Sequence, residues 1–191
     1  MRLGEVLGLI WSDIDFEAKK TNLSRQIIYL KRHGYFLTSL KTESSKRYVL
    51  IDDFLLRELR HWQSQQVENE KLLGDNYVYI YREDDGHIIR QSKGLSITDG
   101  ELVSLICVRN NGQPLLRSIV VKFLTKEDLN AHSFRHTYAT QLIESGASAK
   151  GVAERLGHAD ATITQNLYTH NTQKLQEKTL VIFEKNLQTN T

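Results

Sequence analysis

The chain has a single cysteine, Cys107, among its 191 residues. One thiol builds neither a disulfide framework nor a cysteine zinc cage, so a reducing, intracellular setting is the expectation. No stretch approaches the roughly 20 apolar residues of a membrane span, and no membrane role is expected. No leader is expected either, because Met1 runs straight into an amphipathic pattern. Internal repeats and low-complexity tracts are missing as well. What is there is ordinary for a globular protein: 40% hydrophobic and 25% charged residues. The length suffices for one domain with a real core, or at most two small ones.

The net charge of +2 announces no polyanion partner, but its distribution is uneven. Residues 19–47 hold eight basic side chains (Lys19, Lys20, Arg25, Lys31, Arg32, Lys41, Lys46 and Arg47) against one acid, Glu43. Residues 52–85 hold four basic and nine acidic side chains. A basic segment beside an acidic one suggests one face for a polyanion and another turned away. A solvated hairpin with scattered lysines would give the same count.

Hydrophobic periodicity divides the chain. Leu3, Val6, Leu7 and Ile10 share one helical face over residues 2–11. Only Met1 precedes that helix, so it has no N-cap side chain, and Arg2 is expected to be loosely held. The period then shortens. Strands are expected at 27–30, 35–40 and 47–51, separated by His33-Gly34 and by Thr42 to Ser45, as one three-stranded antiparallel sheet. Asp52 or Asp53 caps a helix to about Leu73, with Leu55, Leu56, Leu59 and Trp62 on its apolar face. Tyr77 to Tyr81 reads as a short strand, followed to residue 113 by a loop-rich, glycine-broken excursion that has room for a hairpin. Beyond Pro114 helices are expected over 115–126, 132–145, 148–157, 160–168 and 172–187, the second stopping at Gly146. The fold class that results is α+β, mainly helical, with a small three-stranded antiparallel sheet packed against a helical core.

Three short motifs carry chemistry. In His132-Ser133-Phe134-Arg135-His136, the first histidine and the arginine lie three apart on a helix and share a face. A guanidinium offers a planar fork to two phosphate oxygens, and an imidazole can move a proton. His132 and His136 also have the i, i+4 spacing of a zinc pair, but Ser133 stands where that motif needs a glutamate base. Leu156-Gly157-His158 puts a histidine just past a helix-ending glycine. Ten residues on stands Tyr168. Each motif alone is compatible with a structural role.

Their order and company say more. Arg2 with Glu5, Lys41 on a strand beside a turn in Leu40-Lys41-Thr42-Glu43-Ser44-Ser45-Lys46-Arg47, His132-x-x-Arg135, Leu156-Gly157-His158 and Tyr168-Thr169-His170 follow one another along nearly the whole chain, residues about 77–113 excepted. This closely resembles the catalytic domain of the tyrosine site-specific recombinases, the phage integrase family. The resemblance implies an enzyme of site-specific DNA recombination, integrating or excising a mobile element. Tyr168 would be the nucleophile that makes a covalent 3′-phosphotyrosyl link. Arg2, Arg135 and His158 would hold the phosphate oxygens, Lys41 would be the general acid and His132 the base near the tyrosine hydroxyl. No metal and no nucleotide cofactor would be required.

The implied partner is double-stranded DNA, bound in the full-length protein by a homo-oligomer, a tetramer, with a possible exchange of the C-terminal helix between protomers. The implied location is the cytoplasm of a bacterium. Residues 1–191 are expected to be the catalytic domain without the family's N-terminal DNA-binding domains. A type IB topoisomerase-like enzyme would share the fold and the tyrosine, and a non-catalytic DNA-binding module would share the shape. Leu156-Gly157-His158 before the tyrosine helix favours a recombinase over the first. Retention of all six residues argues against the second.

Overall fold

Near the N-terminus the chain trades a helical period for a short one, and the elements follow that change. A computed structural model describes residues 1–42, 45–93, 95 and 98–157 of the chain. It divides into two units, Met1–Ala131 and His132–Thr191.

The first unit opens with helix α1, Leu3–Leu7. It is shorter than its apolar period suggests, because Gly8 ends it and Ile10 turns away to form a bridge with Leu105. Gly4 and Gly8, one turn apart, let α1 lie directly on the backbone of strand β3, Arg25–Leu30. A β-carbon on Gly8 would come within 2.9 Å of Gln26 Cα, and one on Gly4 within 3.0 Å of the Ile27 carbonyl. Strand β1 is Ile14–Asp15, β2 is Lys20–Leu23, β4 is Gly34–Ser39 and β5 is Arg47–Leu50.

These strands do not form the single expected sheet. β3 and β4 pair with each other as a two-stranded ribbon, Ile27 opposite Leu37, while β5 pairs with β2, Thr21 opposite Val49. β2 also pairs with β1, which completes an antiparallel sheet in the order β1-β2-β5. The reason lies in the side chains. Leu23 and Thr21 are buried on β2, and Val49 on β5 packs towards the same cluster, formed by Leu9, Ile14, Leu23, Ile51, Leu56 and Ile106.

Helix α2, Asp53–Leu73, starts where the sequence predicts, with the Asp52 carboxylate accepting from the Leu55 amide at 2.9 Å. Leu56 is buried, and Leu59 and Trp62 pack on the same cluster, whereas Leu55 points to solvent. Trp62 Nε1 and Gln66 Nε2 both donate to the Ile106 carbonyl, at 2.8 and 2.9 Å, so the helix is fixed by polar contacts as well as by apolar area. The region after α2 is a hairpin of β6, Val78–Arg82, and β7, Ile88–Ser92, with a short β8, Glu101–Leu102, on the other edge of β6. Its turn touches the β3–β4 ribbon, where the Leu37 amide donates to the Gly86 carbonyl at 2.8 Å. Leu7, Ile27, Leu37, Ile80, Ile88, Val103 and Leu105 form the core there, and Val120 of helix α3, Arg117–Lys126, packs against it.

The second unit is described to Gly157. Helix α4, Ala131–Glu144, and helix α5, Ala149–Leu156, pack through Ala139, Ile143, Val152 and Leu156. Ser148 caps α5 by accepting from the Gly151 amide at 3.1 Å, and Gly157 ends it in the left-handed conformation. The helices expected over 160–168 and 172–187 lie outside the described residues. The fold is α+β with small antiparallel sheets; strands take a larger share of the first unit than a mainly helical chain would have.

One charge sits at the centre of the first unit. Glu5 is completely buried. Its carboxylate accepts from the Arg2 amide at 2.7 Å, from Arg2 Nη1 at 3.0 Å and from Arg47 Nη2 at 2.9 Å. It therefore supplies from inside the helix the cap that the sequence lacks before it. Burial pushes the Glu5 carboxyl up, but the hydrogen bonds from Arg47 and Arg2 and the Arg47 charge outweigh it, and its pKa lies below the usual 4.5. A depressed carboxyl contributes stability above its unfolded pKa and loses it as pH falls through the folded one. We therefore expect Glu5→Gln to cost about 3 kcal/mol or more at pH 7, as removal of one member of a buried pair does. The gap to the unsubstituted chain should close as the solution is taken below the ordinary carboxylate range. Chemical denaturation of both proteins across that range checks this. A gap of constant size would mean that the Glu5 charge is not what holds α1.

Candidate active site

The sequence-predicted residues divide between the units. Arg2 and Lys41 belong to the first, His132 and Arg135 to the second, and His158 and Tyr168 lie outside the described residues.

Arg2 stands at the start of α1 in extended conformation, φ −79° and ψ 153°. Its side chain remains 49% exposed while one of its terminal nitrogens is held by Glu5. The loose Arg2 expected from a missing cap is thus corrected: its amide and its guanidinium are both tied to one buried carboxylate. A half-exposed cation fixed in this way suits an anionic ligand.

Lys41 is exposed and lies in the bend after β4, rather than in a strand. That bend is closed by its own polar groups. The Ser45 amide donates to the Thr42 carbonyl at 3.0 Å, and the Thr42 and Ser45 hydroxyls meet at 2.8 Å. Arg47 Nη1 donates to the Ser45 carbonyl at 3.0 Å.

In the second unit His132 is exposed in the first turn of α4, and Arg135 follows one turn later, half-buried. Arg135 Nη2 donates to the Leu156 carbonyl at 2.5 Å. That contact ties α4 to the end of α5, just before its C-cap Gly157.

The basic segment is partly neutralised by acids from outside it. Lys19 pairs with Asp53 at 2.7 Å, Lys20 with Asp15 at 3.9 Å, Arg25 with Asp13 at 3.3 Å and Arg47 with Glu5 at 2.9 Å. Lys31 and Arg32 at the tip of the β3–β4 ribbon, and Lys41 and Lys46, are exposed, as is Lys19. Asp13 resembles Glu5 in accepting a capping bond, from the Ile10 amide at 3.1 Å, yet burial raises its pKa because Arg25 compensates less.

Two residues here carry structural roles that residue order alone does not indicate. Glu5 is found by the spacing of a capping box, three residues after the N-cap. Arg47 gives no local signal, since its carboxylate partner lies 42 residues away.

Set beside known proteins, the chain matches the profile of the phage integrase family over residues 1–174. A tyrosine recombinase XerC-like protein of Caldanaerobacter subterraneus subsp. tengcongensis is 32% identical over 178 residues, 89% of this chain and 42% of that protein. The ICEBs1 integrase of Bacillus subtilis is 27% identical over 179 residues, 89% of this chain and 41% of that protein. The chain therefore spans less than half the length of these relatives. Among solved structures, the Tn1549 transposon integrase in complex with transposon right end DNA superposes with a TM-score of 0.64 at 20% identity, covering 88% of this chain and 50% of that one. The XerA recombinase gives 0.57 at 20% identity, covering 93% and 51%. These two likenesses are of fold. With the family profile spanning residues 1–174, the chain belongs to the phage integrase family.

Proposed function

We propose that this chain is the catalytic domain of a site-specific DNA recombinase that cleaves and rejoins strands for the integration or excision of a mobile element. The observation that carries the reading is Arg2, a guanidinium held by a fully buried carboxylate yet half exposed at a helix start. A cation preorganised in this way is what a phosphoryl-transfer transition state needs, since charge grows on the non-bridging oxygens as the fifth bond forms. Family membership and the short span of the relatives' length support the assignment to a catalytic portion of a longer architecture.

The roles follow the family resemblance. Arg2, Arg135 and His158 neutralise the non-bridging oxygens. The Tyr168 oxygen attacks phosphorus as His132 takes the phenolic proton, which a phenol of ordinary pKa about 10 does not release unaided at neutral pH. The bond from phosphorus to the 5′ oxygen breaks, and Lys41 gives that oxygen its proton. A 3′-phosphotyrosyl link conserves the bond energy, and a 5′ hydroxyl from another strand reverses the steps. The exposed cations Lys31, Arg32 and Lys46 fit contacts that position the enzyme on the backbone of double-stranded DNA. Action as a tetramer on DNA in the bacterial cytoplasm, with exchange of residues 172–187 between protomers, is part of the same reading.

Tyr168→Phe should abolish covalent attachment to a nicked suicide substrate while DNA binding changes little. A Phe variant that still forms the adduct removes Tyr168 as nucleophile. Relaxation of supercoiled DNA without paired sites would instead favour a topoisomerase.

Lys41→Ala should slow cleavage by about 100-fold or more, the usual size of general-acid catalysis. A 5′-bridging phosphorothiolate should restore most of that loss, because a thiolate departs without a proton. Equal defects on oxygen and sulfur substrates would take Lys41 out of the acid's role.

A further inference from the structure

We propose that Arg47 is a positioning residue that sets both cations of the first unit, Arg2 and Lys41, from one guanidinium; this rests on the recombinase reading given above. Arg47 is the first residue of β5, and its side chain is only 9% exposed. Its two terminal nitrogens face different tasks. Nη2 donates to Glu5 at 2.9 Å, and Nη1 donates to the Ser45 carbonyl at 3.0 Å while lying 3.4 Å from the same carboxylate. Glu5 in turn holds Arg2 by backbone and side chain, at 2.7 and 3.0 Å. Ser45 closes on Thr42, the neighbour of Lys41, through two further hydrogen bonds. One planar fork therefore joins the start of α1 to the turn that carries Lys41.

Charge makes the same residue necessary. Arg2 and Glu5 alone would form a neutral pair, and a neutral pair attracts a phosphate weakly. With Arg47 the trio carries one net positive charge, while Arg47 itself is too buried to be the group that meets the ligand. It neutralises the anchor so that the half-exposed Arg2 keeps its charge for the phosphate. Buried Glu5 also requires it, because an ionised carboxylate inside a protein persists only when its lone pairs are satisfied. Lysine would keep the charge but would lack the fork, since an ammonium on a flexible stem does not present two parallel donors in one plane.

The test compares the unsubstituted chain with Arg47→Lys and Arg47→Met, using single-turnover cleavage of a nicked suicide substrate at saturating DNA, each rate normalised to folded protein. Arg47→Lys should remain folded and cleave about tenfold more slowly, with a DNA dissociation constant within about threefold of the original. A 5′-bridging phosphorothiolate should return only part of that loss, the part due to a misplaced Lys41. Arg47→Met should be slower again. Hydrogen exchange of the same proteins without DNA gives a readout apart from activity: in Arg47→Lys, residues 3–8 and residues 40–47 should lose protection together. Full cleavage by folded Arg47→Lys, a defect confined to DNA binding, or loosening of one segment without the other would overturn the proposal. If the unsubstituted chain formed no adduct, the recombinase reading would fall, and the exchange data would still decide whether Arg47 couples the two segments.

Discussion

A carboxylate with no exposure to water organises the first unit. An ion in a protein interior costs several kcal/mol unless its neighbours replace the lost hydration. Glu5 meets that condition with the Arg2 amide, the Arg2 guanidinium and Arg47. A helix as short as α1 has little stability of its own, because nucleation consumes what one turn of hydrogen bonds returns. Glu5 and the two glycines that admit β3 are what give it a fixed place. The arrangement is costlier than an apolar contact of the same volume would be. The return is positional: a half-exposed guanidinium is held at the helix start, and preorganisation of that kind is what the proposed function asks of Arg2.

The same accounting changes how the basic segment reads. Counted along the chain, residues 19–47 look like a uniform band of positive charge. In the fold, Asp13, Asp15, Asp53 and Glu5 are drawn to Arg25, Lys20, Lys19 and Arg47. Two of these pairs, Glu5–Arg47 and Asp13–Arg25, use buried acids at helix or turn starts, where a carboxylate also caps a backbone amide. Of the others, Lys31 and Arg32 are exposed at the ribbon tip, and Lys41 and Lys46 are exposed in and beside the bend after β4. The linear count therefore overstates the charge that the segment turns towards a polyanion.

Helices α2, α4 and α5 were legible because their signals are local: a capping aspartate or serine, an apolar stripe, a left-handed glycine. β6 was legible from its aromatic and β-branched alternation. Strand pairing was not. The segment 47–50 reads as a strand from its own residues, but its partner depends on which neighbour shares a buried face, and β2, which supplies that face, is only four residues long. The helical period of residues 2–11 overextends α1 because Ile10 keeps that period while its backbone joins Leu105. For the site, residue types in family order nominate Arg2, Lys41, His132, Arg135, His158 and Tyr168. The order of residues carries no distance, so the tie from Arg47 to Glu5, 42 residues apart, could not be read.

Arg2 in the first unit and Arg135 in the second are anchored by different chemistry. Arg135 is held by a main-chain carbonyl, the Leu156 oxygen at the end of α5. A carbonyl fixes a guanidinium without cancelling its charge, and it does not titrate. Arg2 is held by a carboxylate, which fixes it more strongly but would cancel its charge if the pair stood alone. A second arginine, Arg47, is built into the first anchor. Arg2, Glu5 and Arg47 together carry one net positive charge, and this arrangement accompanies an arginine placed at the positive end of a helix. There the dipole opposes a further cation, and a carboxylate in the first turn is the group that relieves it.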